Sequence, residues 1–326
     1  MNLKHSLHLM AAGVLAAAAS TGIAADYRWL NSWDGSQSQT LLLAQPYMKA
    51  VEAASKGSIK FTVNGPETVP PLEQLQPVAA GAFQFLFTNG AYHFGTSPML
   101  SVIEALGGTN EQRKNSGVIE AVDRFYQKLG LKLVSLPMSA SGGYQIILKK
   151  PLTPAGDLQG HKIRGNATYS GVIRMLGGTV VALPPGEIYT SLDKGVIDGF
   201  AWTNYGVVDM KLYEPAKFVL RPTFGFGTYA ILANLATWNK LSPAEQKIML
   251  DEAKKIEASW LKDSARLVAA EEQTLVSKGL TVVQMGDAQK AKLARAWSDG
   301  LWDLASQKFK KDVDELRAIA KSKGID

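Results

Sequence analysis

The 326-residue chain has no cysteine. Thiol nucleophiles, iron–sulfur clusters and cysteine-ligated zinc are thereby excluded. Stability falls to the core alone, which a chain of this size can supply even outside the cell. Histidine is nearly as scarce, with four residues at positions 5, 8, 93 and 161. The first two fall within residues 1–25, read below as a cleaved leader, and the other two lie too far apart in sequence for a His-rich metal site; neither a metal nor another cofactor is expected. An acid–base triad would have to use His93 or His161. The G-x-S-x-G elbow of serine hydrolases is missing, as is a Walker-type phosphate loop. Beyond residue 25 there is no apolar run long enough to span a bilayer, no internal repeat and no low-complexity segment.

What is present describes an ordinary globular chain. Hydrophobic residues make up 46% and charged residues 20%, enough for a real core. The length suits two lobes better than one. The first 25 residues differ from the rest. A short basic start with Lys4 is followed by an Ala-rich apolar run from Leu7 to about Ala19, then small residues up to Ala24 and Ala25. That is the layout of a cleavable secretory leader; a membrane anchor would need a longer apolar run. The formal charge of +6 falls to about +5 once Lys4 leaves with the leader. A field of that sign attracts anions. The cations are dispersed, however, and the late group (Lys308, Lys310, Lys311, Lys321, Lys323) reads as a solvated helix face, so no nucleic-acid partner is expected.

Hydrophobic periodicity and punctuation predict strands at 26–33, 58–63, 83–87, 131–136 and 144–149, with helices over 36–55, 72–80 and 111–129 between them. Pro46 should kink the first helix or delay its start. Strands at 161–164, 179–183 and 197–202 alternate with helices at 169–176 and 186–194. Such β-α-β units build a parallel sheet. A strand at 228–234 precedes a long helix opened by the capping box Ser242-Pro243-Ala244-Glu245 and stopped by Gly279. At 1.5 Å per residue it reaches roughly 50 Å, more than one lobe needs. A strand at 281–285 and helices over about 288–321 complete the chain.

In open parallel sheets, ligands bind beyond the carboxyl ends of the strands. The residues standing there are Ser32 and Trp33; Thr88, Asn89, Tyr92 and His93; Arg164 and Asn166; and Thr203, Asn204 and Tyr205, with Trp202 and Tyr144 in the adjoining strands. Arg164 lies at a strand end feeding a helix. A guanidinium fork matches a carboxylate, and the helix N-terminus after it adds donors. Spacing alone leaves open a surface arginine paired with an acid. The remaining residues are aromatic and amide-bearing. They provide apolar walls and oriented hydrogen bonds without acid–base power, which suits binding over turnover, although core packing is the commoner fate of any one aromatic.

Asp157-Leu158-Gln159-Gly160-His161-Lys162-Ile163-Arg164, followed by Leu183-Pro184, Glu187-Ile188-Tyr189 and Gly195-Val196-Ile197-Asp198-Gly199, resembles the core signature of the periplasmic solute-binding proteins of TRAP (tripartite ATP-independent periplasmic) transporters, the DctP-like family. The likeness is specific over 157–199 and pattern-level over nearly all the rest of the mature chain. It implies a two-lobed α/β periplasmic-binding-protein fold, type II-like, with a long helix shared between lobes and the ligand cleft at their interface. Expected boundaries are 1–25 for the leader, 26–146 plus 232–275 for lobe I, and 147–231 plus 276–326 for lobe II. It also implies that Arg164 forms the salt bridge to the substrate carboxylate, and that the segment after Asp198-Gly199 adds Trp202, Asn204 and Tyr205.

Two departures bear on the ligand. Many members carry a second arginine where this chain reads Gly142-Gly143-Tyr144-Gln145, and a glutamate where it has Ala201. The expectation is therefore a periplasmic, monomeric protein that is not itself embedded in the membrane. It would capture a small monocarboxylate, aromatic or 2-oxo, for the membrane subunits of a TRAP transporter; a uronic or aldonic sugar acid is the alternative. A periplasmic enzyme and a ligand sensor are the other classes to be separated from it.

Overall fold

The computed structural model describes residues 25–140 and 142–326. The expected leader lies outside them, apart from Ala25. In the first lobe, β1 (Ala25–Asn31) leads through a π-helical turn, Thr40–Ala44, into α1 (Gln45–Ala54). Pro46 falls at the start of α1, where its missing N–H is tolerated. There follow β2 (Ile59–Asn64), α2 (Leu75–Ala79), β3 (Phe85–Thr88), α3 (Met99–Val102), α4 (Asn110–Lys114), α5 (Val118–Lys128) and β4 (Leu131–Ser135). The single helix expected over 111–129 is thus two. Gly117, at φ 90°, breaks it, and a Thr109–Gln112 capping box opens α4.

The second lobe holds β5 (Tyr144–Leu148), β6 (Lys162–Arg164), α6 (Ser170–Met175), β7 (Thr179–Val181), α7 (Ile188–Asp193), β8 (Gly199–Thr203) and β9 (Phe218–Arg221). The chain returns through β10 (Ala230–Asn234) and α8 (Leu235–Lys240), then runs along α9 (Pro243–Ser277) to β11 (Thr281–Gln284) and α10 (Asp287–Ser322). Two sheets result, in the orders β2-β1-β3-β10-β4 and β11-β9-β5-β8-β6-β7. In each, one strand runs against its neighbours: β10 in the first, β5 in the second. β6 pairs parallel with β7 and β8, as the β-α-β reading requires. The four residues of β9 form no pattern long enough to be read from sequence, yet they fill the gap between β5 and β11. All of β5 lies in the second sheet, including the residues up to 146 expected in lobe I. α10, expected with lobe II alone, packs on α3 and α5 as well as on α6, and bends at Phe309, whose φ and ψ are non-helical.

The lobes are joined by two crossing segments, residues 136–140 with 142–143, and residues 222–229. They run side by side through the Met138–Thr228 and Tyr144–Phe224 bridges and backbone bonds such as Ser139 N–H to Gly227 O (2.8 Å). Their approach is so close that a Cβ on Gly143 would stand 2.5 Å from Gly227 N. α9 spans both lobes. Its capping box is formed by Ser242 and Glu245, and its body packs on α1 and β4. Near its end the buried Glu271 accepts the backbone N–H groups of Val207 (2.7 Å) and Val208 (3.0 Å) in the second lobe.

Two outcomes follow. Gly143→Ala forces a side chain into backbone, and should destabilise the protein by about 1–3 kcal/mol, read as a lower denaturant midpoint at unchanged slope. A change under about 0.5 kcal/mol, ordinary for a surface site, would refute the close approach. Burial pushes the Glu271 carboxyl up to about 7, against the pull of its two N–H donors. A carboxyl so raised binds protons better in the folded state. Its contribution is therefore present below about pH 4.5 and lost as pH rises through about 7. Between those limits wild type should lose roughly 3 kcal/mol relative to Glu271→Gln; parallel stability–pH curves would refute it.

Candidate functional site

Between the two sheets lies a cavity lined from both lobes. Trp33, Gln39, Asn89, Tyr92 and Tyr229 come from the first-lobe side; Tyr144, Arg164, Asn166, Tyr169, Trp202 and Thr203 come from the second. The space is small, about 20 Å3, on the scale of one water site. Most of its wall is buried, so a ligand must enter with the lobes apart.

Arg164 ends β6, in register with Val181 and Phe200 of the neighbouring strands. It is 2% exposed. Its Nε donates to Leu183 O (3.0 Å) and Nη1 to Ala201 O (3.4 Å), and the guanidinium lies 5.2 Å from the Trp202 ring centre. Among the described residues no carboxylate forms an ion pair with it. Burial draws its pKa down, while the Tyr92 and Tyr169 hydroxyls act the other way. α6, just beyond, is only six residues long, so the helix-terminus contribution expected there is minor.

Of the nine residues expected in the site, seven line the cavity: Trp33, Asn89, Tyr92, Tyr144, Arg164, Asn166 and Trp202. Asn204 and Tyr205 do not. Asn204 bonds the crossing segment instead, its backbone N–H to Gly143 O at 2.9 Å and its amide to Gly142 O. Tyr205 stands one layer back, hydroxyl to hydroxyl with Tyr229 and edge-on to Trp260 at 5.6 Å. Asn89 lines the wall with its polar atoms engaged. Its oxygen caps the turn at Ala91 N (2.8 Å), and its amide donates to Thr228 O (2.8 Å) and Glu104 (3.4 Å). Asn166 caps the next turn through Thr168 N (3.1 Å).

Gln39, Tyr169 and Tyr229 escape the sequence reading. Tyr169 lies three residues past Asn166, where a longer count from the strand end finds it. Gln39 precedes a helix and Tyr229 precedes a strand, so neither carries that signal. The Oε1 of Gln39 and Nε1 of Trp202 are buried without a protein partner. The aromatic wall is continuous: Trp33 contacts Tyr92 (5.7 Å) and Tyr229 (5.5 Å), and Tyr144 meets Tyr169 edge-on at 5.2 Å. Burial raises the pKa of every tyrosine here, that of Tyr92 to about 12, so the hydroxyls stay protonated at neutral pH.

Neither histidine is among the lining residues. His93 shares a hydrogen bond with Thr88 (3.0 Å), and burial lowers it to about 4; His161 bonds Pro151 O at 2.9 Å. Among the described residues there is no cluster able to hold a metal ion, and no helix long and apolar enough to cross a membrane.

Residues 31–308 match the family model of the bacterial extracellular solute-binding protein, family 7. The monocarboxylate 2-oxoacid-binding periplasmic protein of Nostoc sp. is 30% identical over 68% of this chain and 63% of its own length, just under two thirds. Among solved structures, a TRAP periplasmic solute-binding protein from Desulfovibrio salexigens, with bound orotic acid, superposes with TM-score 0.82 over 91% of this chain and 98% of that one at 18% identity. An extracytoplasmic solute receptor of Bordetella pertussis, binding pyroglutamic acid, gives TM-score 0.79 over 91% and 100% at 19% identity. At such identities the likeness establishes the two-lobed fold. With the family model covering most of its length, this chain belongs to the DctP family of bacterial extracellular solute-binding proteins.

Proposed function

We propose that this protein captures a small monocarboxylate outside the cytoplasm, closes its lobes on it, and presents it unchanged to the membrane subunits of a TRAP transporter. One observation carries the reading: Arg164 is a buried guanidinium with no carboxylate paired to it among the described residues, set in an aromatic cavity between the lobes. An uncompensated buried charge costs several kcal/mol. A ligand carboxylate offsets that cost, and closure strengthens the pair by excluding water. Because the wall is drawn from both lobes, the ligand favours the closed arrangement over the open one.

The ligand class follows from the wall. The single arginine and the ring of tyrosine and tryptophan suit a monocarboxylate with a compact aromatic or 2-oxo body. The Nostoc relative, named for monocarboxylate 2-oxoacids, supports this, as do the orotic and pyroglutamic acids held by the structural relatives. A sugar acid fits less well. Its several hydroxyls need polar partners, whereas the Asn89 amide and the Thr203 hydroxyl, both on the wall, are committed to the protein's own backbone. Binding without turnover is supported by the two histidines, both held away from the cavity wall.

Calorimetry with pyruvate and benzoate, which carry no donor, and with pyroglutamate and lactate, which do, tests the assignment. Arg164→Ala should weaken whichever acid binds by about 2–5 kcal/mol, the scale for removing one partner of a buried charged pair, and mass spectrometry should recover the acid intact. Unchanged affinity, or a chemically altered acid, would overturn it.

A further inference from the structure

Behind the cavity wall lies a second buried charge, of opposite sign. Glu104 sits in a short turn, Ile103–Ala105, and is 2% exposed. One carboxylate oxygen accepts the Tyr144 hydroxyl at 2.7 Å. The other accepts Thr228 N (2.9 Å), Thr228 Oγ1 (2.9 Å) and the Asn89 amide (3.4 Å). Among the described residues no cation forms an ion pair with it. Arg113, in the next helix, is turned to the carbonyls of Gly107 and Leu106. Glu104 therefore holds its charge through donors alone, and two of these, Tyr144 and Asn89, line the ligand cavity.

Burial pushes the Glu104 carboxyl up to about 7, so above that pH it is ionised and the chemistry of its contact with Tyr144 is one-directional. An ionised carboxylate only accepts, and a phenol has one proton. Tyr144 must give its proton to Glu104, which leaves only the lone pairs of its oxygen for whatever it meets in the cavity. Asn89 has already given its N–H groups to Thr228 and Glu104, and the unpartnered Oε1 of Gln39 is a further acceptor. Donors are grouped elsewhere: the Trp202 Nε1–H and the Tyr92 and Tyr169 hydroxyls belong to the surroundings of Arg164.

We propose that Glu104 is a positioning residue that sets the polarity of Tyr144. The ligand must then carry a hydrogen-bond donor, a hydroxyl or N–H, besides the carboxylate on Arg164, and a second carboxylate is rejected. This rests on the monocarboxylate reading and narrows it to acids with a donor on the body. Rejection has two sources: lone pair against lone pair at Tyr144, and the buried charge of Glu104 behind it.

Two acids on the same three-carbon skeleton separate these terms: 3-hydroxypropanoate ends in a donor, malonate in a second carboxylate. At pH 8.5, where Glu104 is ionised, calorimetry on the full chain should show wild type binding 3-hydroxypropanoate at least about 30-fold tighter than malonate, the scale of like-charge exclusion. Glu104→Gln is nearly isosteric. Its amide oxygen keeps the Thr228 donors, and its N–H donates to Tyr144, whose proton then turns to the cavity. The preference should fall about tenfold or more, mainly through tighter malonate binding, which loss of mere structural support would not produce. In Tyr144→Phe the hydroxy acid should lose about five- to tenfold, the worth of one hydrogen bond, with malonate little changed. Malonate bound by wild type within threefold of 3-hydroxypropanoate, a ratio unchanged in folded Glu104→Gln, or pyruvate bound where 3-hydroxypropanoate is not would each overturn the proposal. Arg164→Ala keeps the two readings apart: if it leaves both acids bound as before, the carboxylate assignment fails, whatever the ratio.

Discussion

A guanidinium held out of water, with no acid paired to it among the described residues, organises this molecule. The short strand β6 delivers Arg164 to the inter-lobe surface, and the carbonyls of Leu183 and Ala201 fix its fork. Carbonyl oxygens satisfy N–H groups but do not neutralise charge. The deficit persists in the folded protein, and in the proposed function an anionic ligand relieves it. The aromatic wall limits water access to that charge and limits the size of what can reach it.

The architecture serves the same end. A cavity walled by side chains from both sheets is accessible only if the sheets can separate and return in register. Two close-packed glycine-bearing segments and one long helix connect them. The crossing pair is bonded along its length and braced from outside by Asn204 at Gly142 and Gly143 and by Glu104 at Thr228. Asn204, which the sequence suggests as a ligand contact, is thus committed to this pair. The Glu271 contacts tie the end of α9 to the loop after β8, joining the shared helix to the lobe that carries Arg164.

Glu104 gives the cavity a second pole. Its carboxylate is shared among the first lobe, the crossing segment and β5. One buried group thus joins the geometry of the crossing pair to the hydrogen-bonding direction of a wall tyrosine. The sequence marks it as nothing more than an acid near apolar residues. Its importance comes from partners 40 and 124 positions away.

Much of this is local and therefore readable along the chain. Alternating apolar residues, glycine stops and the Ser242–Glu245 box define most elements. The rule that ligands gather at strand carboxyl ends brings Trp33, Asn89, Tyr92, Arg164, Asn166 and Trp202 together on one cavity. What the sequence by itself determined is which residues stand at those ends and that one of them is an arginine. Tertiary structure alone decided which way they point and what they meet: Asn204 and Tyr205 turned to the crossing pair and a second aromatic layer, Gln39 and Tyr229 brought in from a helix start and a strand start, β9 completed by neighbours distant in sequence. The reason is physical. Periodicity and capping are set within a few residues, whereas burial, partner and hydrogen-bond direction depend on surfaces that exist only once both sheets have formed.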